Sequence, residues 1–196
     1  MKYSLSLLAS LALTSSVFAA DLSAVPAGSY SADPTHAYVR LQYNHLGLSN
    51  PTLGFETFSV SLDLDVTDPT QSAIALDVTT DSVQTGSEIF HEHLTGEKWF
   101  DAAKYPSIKF NSTSIAANDD GTYNITGDLT VKDTTKPVTL VATINNAMMH
   151  PMAKKPVIGI SATGMLKRSE FGLGAFTPHV GDDVALEVQL EMLKDQ

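Results

Sequence analysis

The sequence predicts an all-β domain: an antiparallel sheet arranged as a sandwich or a barrel, carrying one short helical insert. Three observations lead there. Apolar side chains recur at every second residue in tracts spread from Val39 to Met192, the period of a strand with one face buried and the other in water. Clusters of turn-forming residues separate those tracts. One stretch, FHEHLTGEKWFDAAKYPSIKF from Phe90 to Phe110, breaks the alternation and gathers four aromatics beside the only tryptophan.

From the N-terminus, Met1-Lys2 gives a positive start, Leu5 to Leu13 an apolar run, and Val17-Phe18-Ala19 the residues a signal peptidase reads. Residues 1–19 are therefore expected to leave as an export signal, with cleavage after Ala20 as the neighbouring alternative. Residues 20–196 then form one domain. The apolar run falls short of the about 20 residues of a membrane span, and no later segment approaches that length. The mature chain is expected to be soluble, with no stable membrane anchor.

Alternation begins at Val39, Leu41 and Tyr43 and continues through Phe58, Val60, Leu62, Leu64 and Val66, with Ser59, Ser61, Asp63 and Asp65 between them. Ile74, Leu76 and Val78 follow. Beyond the insert come Tyr123, Ile125, Leu129 and Val131, then Val138, Leu140 and Ile144. Last is Val184, Leu186, Val188, Leu190 and Met192 against Glu187, Gln189 and Glu191. The turns read as Ser49-Asn50-Pro51, Asp68-Pro69, Asn118-Asp119-Asp120-Gly121, Thr135-Lys136-Pro137 and Gly181-Asp182-Asp183. Nearly every strand keeps a polar face, which argues against a purely parallel sheet.

Within the insert, Ile89, Phe90, Leu94, Phe100 and Ala103 do not fit period two. Thr95-Gly96 divides it into two predicted helices, the second ending near Tyr105-Pro106 because a residue before proline avoids the helical region. Such a segment has to pack on or into the sheet. An eight-stranded closed sheet has an interior that is either filled by side chains or holds one small ligand, and aromatics at its mouth favour the ligand.

Composition narrows the classes. Lys and Arg total 12 against 22 Asp and Glu, which disfavours nucleic acid and anionic membranes as partners. Charged residues are only 17% and hydrophobic ones 43%, so the chain has a core to bury. With no cysteine there is no disulfide framework and no thiol nucleophile. No G-x-S-x-G elbow, HExxH helix or phosphate loop occurs, so no catalytic residue is assigned and the protein is expected not to be an enzyme.

His91 and His93 look like a metal pair. On a helix, however, residues two apart point about 200° from each other, so a structural role is preferred and no metal site is assigned. His150 stands in Met148-Met149-His150-Pro151-Met152, where thioethers suit copper, but loop packing is preferred. The sequons Asn111-Ser-Thr113 and Asn124-Ile-Thr126 fall in predicted strands. For Arg168 a surface ion pair with Glu170 or another carboxylate is weighed above a role as polar anchor.

Several segments, taken in order, resemble the YceI-like family of exported polyisoprenoid-binding proteins. They are Asp33-Pro-Thr-His36, Asn44-His45-Leu46-Gly47-Leu48, Gly54-Phe55, His93-Leu94, Trp99-Phe100-Asp101 and Lys104-Tyr105-Pro106-Ser107-Ile108-Lys109-Phe110. Gly127-Asp128-Leu129-Thr130-Val131-Lys132, Thr135-Lys136-Pro137-Val138-Thr139-Leu140, Arg168-Ser169-Glu170-Phe171-Gly172 and Val180-Gly181-Asp182-Asp183-Val184 complete the set. Asp133 departs from the family's usual glycine. The resemblance implies an eight-stranded lipocalin-like antiparallel barrel whose interior holds a long apolar chain, and hence a periplasmic, non-enzymatic carrier of a polyisoprenoid or prenyl-quinone with no required cofactor.

The ligand-binding residues expected on this reading are Leu46, Phe55, Phe58, Phe90, Leu94, Trp99, Phe100, Phe110, Met165 and Phe171, with His45, His93 and Arg168 as polar contacts. The partner is an isoprenoid lipid, not nucleic acid, and a homodimer stays open. The alternatives are a quinone- or lipid-linked enzyme or redox accessory using His45 or His93 in proton transfer, and a filled structural or stress-response barrel.

Overall fold

A computed structural model describes residues 21–196; the predicted export signal lies outside them. The described residues form an antiparallel eight-stranded closed barrel with one short α-helix. Eight staves run up and down in sequence order, and three of them are interrupted. β1 (Gly28–Ala32) and β2 (Tyr38–His45) make the first, broken at residues 33–37. β3 (Thr52–Phe55) and β4 (Phe58–Leu64) make the second, broken at residues 56–57. β5 (Ala73–Thr79) and β6 (Val83–Gln84) make the third, broken by a 3-10 turn at Thr80–Ser82. The helix α1 (Glu88–Thr95) follows, and then come the uninterrupted β7 (Ser107–Ala117), β8 (Tyr123–Val131), β9 (Thr134–Met149), β10 (Pro156–Lys167) and β11 (Val180–Lys194).

β11 closes the ring. One edge pairs with β10 along its length, from Val157↔Leu193 to Lys167↔Asp183. The other pairs first with β2, Val184↔Tyr43 to Gln189↔Tyr38, and then with β1, Ala32↔Met192 to Tyr30↔Lys194. The three breaks lie side by side and stay hydrogen-bonded: Glu56 N donates to Ser82 O at 3.0 Å, Thr79 N to Thr57 O at 2.9 Å, and Asp33 N to Glu191 O at 2.8 Å.

The alternating rows of β2, β4, β5, β8 and β11 stand as the sequence predicts, although Val66 lies past the end of β4. Other expectations need correcting. The second helix is absent: residues 97–106 form turns, and Asp101 in the left-handed region (φ 51°) cannot continue a right-handed helix. Ile108 and Phe110 belong to β7, not to the insert. Thr135-Lys136-Pro137 lies within β9, because the chain already reverses at Lys132-Asp133, with Lys132 left-handed (φ 57°). Gly181-Asp182-Asp183 lies within β11, where the register against β2 shifts between Val180 and Val184; it is a bulge, not a turn. α1 is as expected, with Ser87 accepting from Phe90 N at its start and Gly96 at its end.

The two ends of the barrel differ. At the end carrying the hairpins after β4, β7 and β9, the interior is filled. Tyr30, Ile158 and Met192 are fully buried there, with Leu62 and Leu64. Residues 21–27 lie across this end: Leu22 and Val25 are buried in the core cluster, and Tyr30 Oη donates to Pro26 O.

A repeated device shapes the polar links. Asp21, Asp33, Asp65 and Asp120 each accept from the backbone N–H two residues on, at Ser23, Thr35, Thr67 and Thr122. In Asp33, Asp65 and Asp120 the same oxygen also takes that residue's hydroxyl. These bonds favour the ionised form and lower all four aspartates. A carboxyl lowered on folding contributes stability that is present above its unfolded value, about 3.9, and lost as pH falls through the folded value. Stability against urea should therefore weaken as pH falls below about 4, and only modestly because solvent screens these surface carboxylates. At Gly127, a Cβ would sit 2.5 Å from Asn111 O and 2.4 Å from the Phe110 ring. Gly127→Ala should cost about 1–3 kcal/mol in the same assay.

Candidate ligand-binding site

The other half of the barrel is hollow. A cavity of about 620 Å³ lies toward the end that carries α1, within the usual ligand-pocket range of about 300–1,000 Å³. Its wall is the inward row of the staves: Val39, Leu41 and Tyr43 from β2, Val60 from β4, Ile74, Leu76 and Val78 from β5, and Ile108 and Phe110 from β7. Leu53 of β3, Ile125, Leu129 and Val131 of β8, Val138 and Leu140 of β9, Ile160, Ala162 and Leu166 of β10, and Val184, Leu186, Val188 and Leu190 of β11 complete it. Phe55, Phe90, Leu94, Trp99, Phe100, Phe171, Leu173 and Phe176 gather at the mouth. Phe100 packs edge-on to Phe55, with centroids 6.2 Å apart.

The polar groups reaching the cavity include Tyr43, His45, His93 and Arg168, all toward the open end. Arg168 is the buried cation of the site, at 6% exposure. Its Nε donates to Gly181 O at 2.8 Å and its Nη2 to Val180 O at 2.7 Å; Nη1 donates to Ala175 O at 3.0 Å and also to Leu173 O. The guanidinium thus ties both ends of the β10–β11 loop together and lies 5.4 Å from the centre of the Trp99 ring. Burial pulls its pKa down, opposed by Asp182 and Tyr43, and an arginine stays charged. Asp182 accepts from Ser169 N at 2.9 Å and Ser169 Oγ at 2.7 Å. The Ser169 hydroxyl is the main reason its carboxyl is held below the ordinary value.

The sequence-predicted residues divide cleanly. His45, Phe55, Phe90, His93, Leu94, Trp99, Phe100, Phe110, Phe171 and Arg168 all line the cavity. Leu46, Phe58 and Met165 do not. Leu46 sits in a left-handed turn (φ 59°) that points it to solvent. Met165 is on the outer face of β10 and exposed, and its neighbour Leu166 faces in. Phe58 packs against the core cluster beside the break in its stave. The surface ion pair weighed for Arg168 is overturned: Glu170 lies near Lys136, at 3.8 Å, while Arg168 is buried among carbonyls. His91 turns away from His93, its Nδ1 on Val83 O at 3.0 Å and its Nε2 3.5 Å from Asp81. His150 Nδ1 accepts from Ala153 N at 2.9 Å, which makes the ring part of its hairpin. Elsewhere Asp33, His36 and Glu191 bring potential ligand atoms within 4.8 Å of one another, with His36 Nδ1 engaged by Thr35 Oγ1 at 2.9 Å.

Sequence reasoning expected inward strand residues on the wall but singled out none of the aliphatic ones or Tyr43, and it missed Pro51 and Leu173, which lie in no alternating row. The strand rows were visible, but period two marks a residue as inward without saying whether the inside is full.

A closed up-and-down barrel, plugged at one end and lined with hydrocarbon behind an aromatic mouth, defines a lipocalin-like barrel with an internal cavity. The chain belongs to the YceI family: residues 30–192 match the YceI-like domain. A UPF0312 protein of Pseudomonas putida is 34% identical over 155 residues, 78% of this chain and 80% of the relative. Among solved structures, BcnA of Burkholderia cenocepacia superposes with a TM-score of 0.74 at 23% identity, covering 84% of this chain and 99% of that one. A polyisoprenoid binding domain from Saccharophagus degradans superposes with a TM-score of 0.65 at 11% identity, covering 87% and 100%. Both structures share the fold.

Arg168→Met would leave four carbonyls without their donor, at about 1–3 kcal/mol for each one that stays buried. A loss of at least about 3 kcal/mol in urea unfolding is expected, with a smaller loss for Arg168→Lys, which keeps the charge but not the planar fork.

Proposed function

We propose that this protein is a non-enzymatic carrier of long-chain isoprenoid lipids, a polyprenyl or prenyl-quinone, in the exported compartment. The observation that carries the reading is the hydrocarbon-lined cavity open at one end only. Each buried CH₂ is worth about 0.8 kcal/mol, so an apolar chain gains along its whole inserted length. The relative from Saccharophagus degradans, described as a polyisoprenoid binding domain, supports the ligand class. Below the mouth the wall is apolar apart from Arg40, whose guanidinium lies at Glu187, 3.8 Å away, whereas Tyr43, His45, His93 and Arg168 stand toward the opening. This polarity orients the ligand with its tail at the closed end and an oxygen-bearing head at the mouth. Phe55, Phe90, Leu94, Trp99, Phe100, Phe110 and Phe171 form the apolar contacts, no cofactor takes part, and the acidic surface keeps the loaded protein in solution.

Trp99, the only tryptophan, lies at the mouth and reports on occupancy. Titration with a short-tailed prenyl-quinone should quench its fluorescence with one-site saturation. Ala162→Phe, which fills the cavity from β10, should weaken that binding by at least about tenfold, the equivalent of about 1.4 kcal/mol. Absence of quenching, together with no lipid in solvent extracts of protein purified from its native host, would refute the carrier reading.

A further inference from the structure

The rim of the cavity is apolar on its outer side as well. Leu48 is 82% exposed, Ile89 69%, Phe176 57% and Leu46 51%. They come from three separate segments: the β2–β3 loop, the start of α1 and the β10–β11 loop. Two of those segments are stitched together, since Leu46 N donates to His179 O at 3.0 Å; within the β10–β11 loop, Val180 N donates to Phe176 O at 2.9 Å. The Phe176 ring lies 6.2 Å from Trp99, which lines the cavity, so the outer apolar surface runs on into the inner wall.

Leu46 and Phe176 also occupy the left-handed backbone region, at φ 59° and 63°, which bulky side chains disfavour. They are held there with their side chains in water. Exposure of apolar groups against both strain and hydration marks an interaction surface.

We propose that this rim docks on the surface of a phospholipid bilayer, with Leu46, Leu48, Ile89 and Phe176 inserted shallowly at the headgroup boundary and the mouth opening onto the acyl region. The proposal rests on the reading of the cavity as a lipid site, because a chain passing from bilayer to cavity then meets apolar surface all the way. The charges beside these side chains carry both signs. Lys98 Nζ lies 4.1 Å from the centre of the Phe176 ring, while Glu97 adjoins Lys98 and Glu88 adjoins Ile89 in sequence. Both signs together suit a zwitterionic surface, and the contact is carried by apolar insertion, with Lys98 free to place its stem along the ring and its ammonium among headgroups.

Flotation of the untagged protein with phosphatidylcholine vesicles tests this. Leu48 and Ile89 are exposed and do not line the cavity, so Leu48→Ser/Ile89→Ser should fold normally. It should keep prenyl-quinone quenching of Trp99 yet lose at least about tenfold in vesicle partitioning. Ala162→Phe should do the reverse, keeping flotation while losing quinone binding. Flotation of the double variant equal to that of the parent, or binding seen only with anionic vesicles and abolished by high salt, would overturn the docking proposal. Quinone binding without flotation would overturn docking alone, and flotation without quinone binding would overturn the carrier reading alone.

Discussion

Closure of the sheet is the constraint on which the molecule depends. A ladder of eight staves leaves two open edges unless the last returns to the first, and β11 does so by pairing with both halves of an interrupted stave, β2 and then β1. Among the described residues the first and last staves are then paired on both edges, and alternation acquires a fixed meaning: one row faces an enclosed interior and the other faces water. The interruptions at residues 33–37, 56–57 and 80–82 lie on three neighbouring staves, so the ladder changes direction there without losing continuity.

Inside that ring, side-chain size decides between packing and void. Tyr30, Ile158 and Met192 with the N-terminal residues Leu22 and Val25 fill one half. In the other half, aliphatic residues spaced around the wall do not meet across the axis, and the aromatics that would fill it sit at the mouth. Arg168 holds that mouth in shape by a means unusual for a charge: carbonyl dipoles from the loop it spans take the place of a carboxylate partner. Neighbouring Asp182, fixed by Ser169, tempers the cost of burying the cation.

Much of this architecture was legible in the residues themselves. β4 and β11 could be read from their rows alone, because long uninterrupted alternation has no helical counterpart. β3 and β6 are four and two residues long, too short to show a period. β7 was hidden because its first residues share an aromatic-rich stretch with the helix. β10 was obscured where Gly159 and Ile160 shift register against β9. The site split along similar lines. Phe90, Trp99 and Phe100 stood out as large aromatics in an otherwise alternating chain. The void they cover was expected from aromatics at the mouth of a closed sheet, but its extent was not legible, because a cavity is a sum over residues distant in sequence. Met165 and Leu166 show how local the limit is: a phase error of one residue at a strand end moves a side chain from wall to surface.

Because residues 21–27 and the fully packed half behind them block the far end, whatever enters must leave by the same opening in reverse order. The barrel works as a blind bore. For an apolar chain sliding out, each further methylene inside raises the barrier to escape by about 0.8 kcal/mol, or about fourfold in residence time. That gain stops once the tip reaches Tyr30 and its neighbours, since any additional length hangs outside in water. On the proposed carrier reading, the depth of the plug would therefore act as a ruler: dwell time would rise steeply with chain length up to the bore's capacity and level off beyond it, so the closed end would set a kinetic preference that no single contact at the mouth could impose.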